Sequence, residues 1–305
     1  MYIVNSISEF HRHLSLPEPL HPLVSVIDVS KIKHSESEIW ERFFVNFYCI
    51  SLKKDVTAKV KYGQQYYDFN KGTMNFIAPK QIQSLSMEDI RQMNIECGQG
   101  YMLMFHPDFL YKYSIATSIK NYGFFSYAVN EALHISEREE QNIIEIFQKI
   151  EAEYQFIDRH TQEIILAQID LVLQYSNRFY ERQFITRKAV NHDLLSRMEQ
   201  LLSEYFGKEQ GLNKGLPTVD YLATKLSLSP RYLSDMLRSL TGQNAQQLIH
   251  EKLIEKAKDY LTTTQLSVAE IAYQLGFEHP QSFNKLFKNK TNQTPVQFKQ
   301  GFYHN

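Results

Sequence analysis

Gln281, Ser282, Asn284, Lys285 and Lys288 crowd into one short stretch, QSFNKLFK, with His279 just ahead of it. Residues three and four apart share one face of a helix, so these amides, hydroxyls and ammonium groups would stand together. Such a face suits the edges of base pairs and the oxygens of phosphates. A glutamine makes paired bonds to adenine, and a lysine reaches guanine or phosphate. Earlier in the chain RYLSDMLR repeats the design with Arg231, Ser234, Asp235 and Arg238. Arginine pairs in two-pronged fashion with guanine, and a carboxylate accepts from the cytosine amino group. The bland alternative for each residue is a solvated helix face, or a contact that only positions a protein on a phosphate. Tyr232, Leu233, Phe283 and Phe287 read as the buried side of the same helices.

What would position these faces is an internal repeat. Leu222, Ala223, Leu226 and Leu228 recur 49 positions later as Ile271, Ala272, Leu275 and Phe277. After one inserted residue, Leu233, Leu237, Thr241, Gln243 and Leu248 recur 50 positions later as Phe283, Phe287, Thr291, Gln293 and Phe298. Each copy starts with a helix carrying a small residue, Ala223 or Ala272, where another helix must approach. Ser227 or Gly276 marks the sharpest point of the turn. Ser229 caps the second helix of the first copy, with Pro230 at its first position. His279 or Glu278 precedes Pro280 in the other copy. Gly242 and Asn292 end the second helices, and both residue types tolerate the left-handed conformation found there. Two helices joined by a short turn, the second polar, make a helix-turn-helix, whose second helix enters the major groove. A connecting helix near 245–261 separates the copies.

The segment from Ile271-Ala272 through Gly276-Phe277, Phe283, Phe287-Lys288 and Thr294-Pro295 to Phe298-Lys299 resembles the signature of AraC/XylS-type transcriptional regulators. That signature runs I-A-x-x-x-G-F, two spaced phenylalanines, G-x-T-P and a final aromatic-Arg pair. Asn292 replaces its usual glycine and Lys299 its usual arginine. The resemblance covers 218–299 strongly. It implies a double helix-turn-helix DNA-binding domain, a preceding cupin-like barrel that holds a small-molecule effector, and linker helices that form a homodimer. It also implies RNA polymerase as a further partner where the regulator activates.

The front of the chain fits that plan by pattern. Stretches at 21–29, 43–52, 57–62, 64–69, 72–79 and 100–105 are short and rich in β-branched and aromatic residues, with Gly63, Gly72 and Gly98 among the turn signals. Tyr48, Tyr62, Tyr67, Phe69 and Phe76 are candidates to line an effector pocket, or else simply to fill the barrel. Ser136 and Glu139 form a capping box. Ile143, Phe147, Ile150 and Tyr154, then Ile165, Ile169 and Val172, follow at helical spacing. These two stripes either cover the barrel or meet a second subunit. The expected architecture is therefore an α+β multidomain chain. It has a cupin-like antiparallel β-barrel at 1–135, a helical dimerisation and linker segment at 136–186, and an all-α DNA-binding domain with two helix-turn-helix units at 187–305.

Charge divides the same way. Residues 1–186 hold 18 Lys and Arg against 23 Asp and Glu, while 187–305 hold 15 against 11, in a chain of net charge −1. The basic half is the one expected to meet phosphates. Two cysteines, Cys49 and Cys97, make no disulfide framework and favour a reducing, cytoplasmic location. The first twenty residues lack the basic and apolar blocks of a signal peptide, and no apolar run is long enough to span a membrane. No metal or cofactor is expected: His11 and His13 lack supporting ligands at enzyme-like spacing, and His21, His34, His106 and His134 are scattered. There is no nucleophile elbow, phosphate loop or dinucleotide fingerprint. A non-enzymatic, sequence-specific regulator is expected. The rivals are a cupin-type metal enzyme fused to a DNA-binding tail, and a constitutive DNA-binding protein whose barrel only dimerises.

Overall fold

A computed structural model describes residues 1–35, 37–54, 61–62, 65–66, 72–95, 98–128, 131–186, 188–207 and 215–303. The chain divides into two compact units, Met1–Gln183 and Phe184–Asn305.

The first unit is α+β. Its strands are β1 (Tyr2–Val4), β2 (Val24–Asp28), β3 (Phe43–Val45), β4 (Tyr48–Lys54), β5 (Lys61–Tyr62), β6 (Gln65–Tyr66), β7 (Thr73–Ile77), β8 (Gln99–Phe105) and β9 (Leu133–His134). Five of them form an antiparallel sheet in the order β2-β8-β4-β7-β9. β1 pairs with β3 in parallel, and β5 with β6. Alternation along β4 assigns its faces. Ile50 and Leu52 are fully buried on one side, and Cys49, Ser51 and Lys53 take the other. The stretch expected as one strand at 43–52 is thus two strands, β3 and β4, in different sheets. Helix α1 (Ile7–His13), capped by Ser6, joins Trp40, Phe43, Val45 and Phe47 in a core beneath this end of the sheet. Helices α2 (Met87–Ile95) and α3 (Ile115–Ser118) complete the loops.

Helix α4 (Glu137–Glu153) opens on the expected capping box, Ser136 with Glu139. It packs against β2 and β8. The Tyr154 hydroxyl at its C-terminus accepts from Val26 N at 3.1 Å and sits 3.3 Å from Val26 O. Asp158 then caps α5 (Thr161–Thr186) by accepting from the backbone N–H of His160 and Thr161. On α5, Arg182 donates to both oxygens of Glu139 and to His134 O, and Gln183 bonds His134 N and Ala132 O. The two helices are fastened to one another and to β9.

The second unit is helical throughout its described length: α6 (Lys188–Gly207), α7 (Val219–Leu226), α8 (Pro230–Thr241), α9 (Ala245–Thr263), α10 (Val268–Gln274), α11 (Pro280–Thr291) and α12 (Pro295–Tyr303). α7 and α8 form one helix pair and α10 and α11 another, with α9 between them. α9 buries Ala245, Ile249, Leu253, Ile254, Ala257 and Leu261, and so serves as the shared spine. Leu222, Ala223, Leu233 and Leu237 are buried in the first pair, and Ile271, Ala272, Phe283 and Phe287 in the second. Rings of Phe277, Phe283, Phe287 and Phe298 pack in series, tilted or edge-on, with centroids 5.4, 5.7 and 5.6 Å apart.

Candidate nucleic-acid interface

The two pairs share their capping chemistry as well as their apolar spacing. After the first helix, Leu228 N bonds Ala223 O at 2.9 Å, and Phe277 N bonds Ala272 O at 3.0 Å. Ser227 (φ 59°) and Gly276 (φ 97°) take the left-handed turn between helices. Ser229 caps α8 through Tyr232 N. Gly242 (φ 78°) and Asn292 (φ 60°) end α8 and α11, as their residue types lead one to expect. The repeated threonine and glutamine then acquire a reason. Thr241 Oγ1 donates to Leu237 O and accepts from Gln243 N; Thr291 Oγ1 donates to Phe287 O and accepts from Gln293 N. The repeat extends one step further. Asn244 and Gln247 cap α9 reciprocally, and Thr294 and Gln297 do the same for α12. The polar-x-x-Gln spacing was the signal that would have found these two boxes.

These caps set the outward faces of α8 and α11. Phe283 and Phe287 hold the inner side of α11, leaving Gln281, Ser282, Asn284, Lys285 and Lys288 all exposed. His279 occupies the N-cap position without using its side chain there, so its imidazole is exposed at the helix start. On α8, Arg231 and Arg238 are exposed, while Ser234 and Asp235 are partly buried beside them. Asp235 is already engaged: Arg231 Nε donates to its Oδ2 at 2.9 Å, and Arg238 Nη1 to its Oδ1 at 3.3 Å. The cytosine acceptor expected from the sequence is, in the free protein, the anchor of two arginines. α11 carries no acidic residue, so its face is uniformly basic and polar.

Lys299, which stands where the signature has arginine, points inward. Its Nζ donates to Leu266 O at 2.9 Å and lies 3.5 Å from Thr264 O, tying α12 to the segment after α9. This residue is a tether and not a phosphate grip. Lys299→Met is expected to destabilise the second unit by about 1–2 kcal/mol, the lower range for a charge-assisted bond lost at a partly buried carbonyl. Denaturant unfolding followed by helical circular dichroism measures it, and an unchanged midpoint would refute the tether.

In the first unit the two helical stripes are corrected. Ile143, Phe147, Ile150, Tyr154, Ile165, Ile169 and Val172 are each at most 5% exposed. They are buried within the unit itself, so they are core and not an open surface for a second subunit. The large apolar residues that α5 leaves outward are Ile164, Leu171 and Ile185. Of the aromatic candidates, Phe76 lines a cavity of about 270 Å³. Tyr48 does not: it is stacked on Phe105 at 5.1 Å and edge-on to Phe125. Tyr67 and Phe69 lie outside the described residues, as does the side chain of Tyr62. The sequence reading overlooked Ser51, Lys53 and Asn75, which also line the cavity. The period of two along β4, placing Lys53 with Cys49, was the available signal.

His11 is buried with both ring nitrogens in use: Nδ1 is 2.6 Å from Pro17 O and Nε2 is 3.0 Å from Ser25 Oγ. Burial holds its pKa below the ordinary histidine value. Among the described residues no cluster of three or more His, Cys, Asp or Glu is placed to hold a metal, and no helix is long and apolar enough to cross a membrane. Burial pushes the Cys49 thiol pKa upward, which makes it a poor nucleophile.

Two capped helix pairs with polar second helices define the class of helix-turn-helix DNA-binding domains. The family model described as "Helix-turn-helix domain" matches residues 222–301. The HTH-type transcriptional activator RhaS of Salmonella schwarzengrund is 29% identical over 141 residues, 46% of this chain and 46% of that protein. Histidine kinase P4 of Formosa agariphila is 28% identical over 116 residues, 37% of this chain and 8% of its own length. The chain thus spans less than half the length of these curated relatives. Among solved structures, the C-terminal domain of the two-component response regulator yesN from Fusobacterium nucleatum is 34% identical, covering 35% of this chain and 98% of that one, with a TM-score of 0.31. Residues 222–301 are an AraC-type helix-turn-helix domain.

Proposed function

We propose that the whole chain is an effector-responsive transcriptional regulator acting in the cytoplasm, whose second unit reads two successive major grooves. The observation that carries this is the repetition of an outward polar helix, α8 and α11, on either side of one spine. Nineteen residues of α9 span roughly 28 Å at about 1.5 Å per residue. Successive major grooves on one face of DNA are about 34 Å apart, so modest DNA bending completes the fit. α8 contributes a two-arginine face and α11 a glutamine, asparagine and lysine face, which suit different bases.

The first unit holds the effector in its cavity, within a sheet that belongs to a cupin-like barrel. Effector binding shifts the population between arrangements of the DNA-binding units. A homodimer uses Ile164 and Leu171, since the inward stripes are occupied, and thereby presents four recognition helices. RNA polymerase is the further partner where the regulator activates.

Selection of the full chain against random duplexes across salt concentrations tests the reading. Two conserved blocks about one helical turn apart, with binding that weakens steeply as salt rises, are the expected result. Repeating the selection with Phe184–Asn305 alone separates a gated regulator from a failed assignment. Enrichment only in the shorter chain indicates gating by the first unit, whereas no enrichment in either removes the DNA-reading claim.

A further inference from the structure

The cavity of the first unit combines aromatic walls with an uncommitted set of donors. Ser51 and Lys53 lie on one face of β4, and Asn75 on β7 is the register partner of Ser51. All three line the cavity. Among the described residues, none of their polar heads has a hydrogen-bond or ion-pair partner. A hydroxyl, an ammonium and an amide stand side by side and unpaired, a set of donors suited to a ligand that accepts from them. Lys53 is the one Lys or Arg among the described lining residues. Its neighbour Lys54 is committed elsewhere, 3.4 Å from Glu140.

The other titratable groups around the cavity do not supply that acceptor. Glu131 Oε2 takes the Ala128 N–H at 2.6 Å. Tyr180 donates its hydroxyl to Glu131 O at 3.0 Å. His34 packs edge-on against Trp40 with centroids 5.2 Å apart. Tyr127 packs edge-on against Tyr180. Cys49 stays a thiol because burial raises its pKa. Burial also lowers the Lys53 pKa from its ordinary value, and an acceptor anion beside it would restore the charged form.

The walls indicate what the anion is attached to. Trp40 packs edge-on against Phe10 and Phe43, at 6.0 and 5.1 Å. Phe124 packs against Phe76 and Tyr180, at 4.4 and 5.7 Å. Both clusters line the cavity, the Trp40 group packed with Cys49 on the donors' face of β4 and Phe76, the register partner of Ile50, on the other. Aromatic pairs favour offset or edge-on partners, which a further ring provides. The volume, about 270 Å³, is just below the low end of ligand pockets, which start at roughly 300 Å³, so the ligand is small.

We infer that this cavity binds an aromatic monocarboxylate, a single ring on a short acid arm, with Lys53, Ser51 and Asn75 holding the carboxylate. The inference rests on the effector reading above and gives that effector its chemical class.

Trp40 is the only tryptophan of the chain and lines the cavity, so its fluorescence reports occupancy directly. The full-length protein is titrated with hydrocinnamate, with hydrocinnamyl alcohol and with cyclohexanepropionate. Hydrocinnamate is expected to give a saturable change and to bind about tenfold or more tighter than either analogue. Lys53→Met should reduce hydrocinnamate affinity to that of the alcohol, while Lys53→Arg retains most of it. Because the comparison of acid with alcohol uses the unaltered chain, misfolding of a variant cannot decide it. Equal binding of acid and alcohol overturns the carboxylate site, and equal binding of the cyclohexyl acid overturns the ring. No saturable response to hydrocinnamate or to the shorter phenylacetate overturns both. Affinity for the selected operator, measured with and without saturating hydrocinnamate, distinguishes this site from the regulator reading. Saturable acid binding with unchanged operator affinity supports the site and overturns its role as effector site. Operator binding without acid binding overturns the site alone.

Discussion

Gly276→Ala is expected to cost the second unit about 2–5 kcal/mol, a sum of backbone strain and overpacking. A Cβ at Gly276 would stand 2.4 Å from Gly215 O and 2.5 Å from Gly215 C, with Leu216 N at 3.0 Å. All three atoms are backbone, so no side-chain rotation relieves the clash. The Gly215 carbonyl also accepts the Tyr205 hydroxyl at 2.9 Å, which holds it in place. The equivalent position in the first pair is Ser227, an ordinary residue at φ 59°. The left-handed turn by itself is therefore tolerable, and close approach of the 215–216 segment is what demands glycine. Two comparisons isolate that cause. Gly276→Asn, which eases left-handed backbone but keeps the Cβ, should do nearly as badly. Gly242→Ala, with φ 78° and nothing within 4 Å of the added carbon, should lose only about 1 kcal/mol. Denaturant unfolding of the three variants decides it; a Gly276→Ala midpoint close to that of Gly242→Ala would show that the segment yields.

The second large effect concerns Asp235. Its two oxygens hold Arg231 and Arg238, so on the proposed interface it is expected to act through them and not by touching a base. Arg231→Ala is expected to weaken operator binding by about 1–3 kcal/mol and to relax one base position. Asp235→Ala is expected to relax the same position by a similar amount, because a guanidinium freed from its anchor loses its orientation. The two variants part company on other sequences. Arg231→Ala should lower affinity for random DNA, whereas Asp235→Ala removes a negative charge from the proposed DNA-facing side and should raise it. The salt dependence of Asp235→Ala should steepen by about one unit of log–log slope. Binding to operator and random duplexes at several salt concentrations measures both. If Asp235→Ala instead changes discrimination at a position that Arg231→Ala leaves alone, the carboxylate reads a base directly.

How far the chain was legible depended on the range of the forces involved. Helix caps and repeats are local, set within a few residues by side-chain-to-backbone bonds. Hence Ser136, Ser229, Gly242 and Asn292 could be placed before any coordinates. The outward faces of α8 and α11 followed from the same periodicity, because Leu233, Leu237, Phe283 and Phe287 admit one burial side only. Strand existence was visible, but pairing was not. The break between β3 and β4 depends on which partners each half finds, which no local pattern encodes.

The sequence by itself determined that two similar helix pairs exist, where they turn, and which polar residues they turn outward. Tertiary structure decided what those and other residues do when brought together. It set Asp235 between two arginines, turned Lys299 inward onto Leu266 O, and buried the stripes of α4 and α5 inside the first unit. It also gathered Ser51, Lys53 and Asn75 around one cavity from two strands more than twenty residues apart in the chain. Periodicity states that a face is apolar or polar. Only the packing of distant segments states what that face meets.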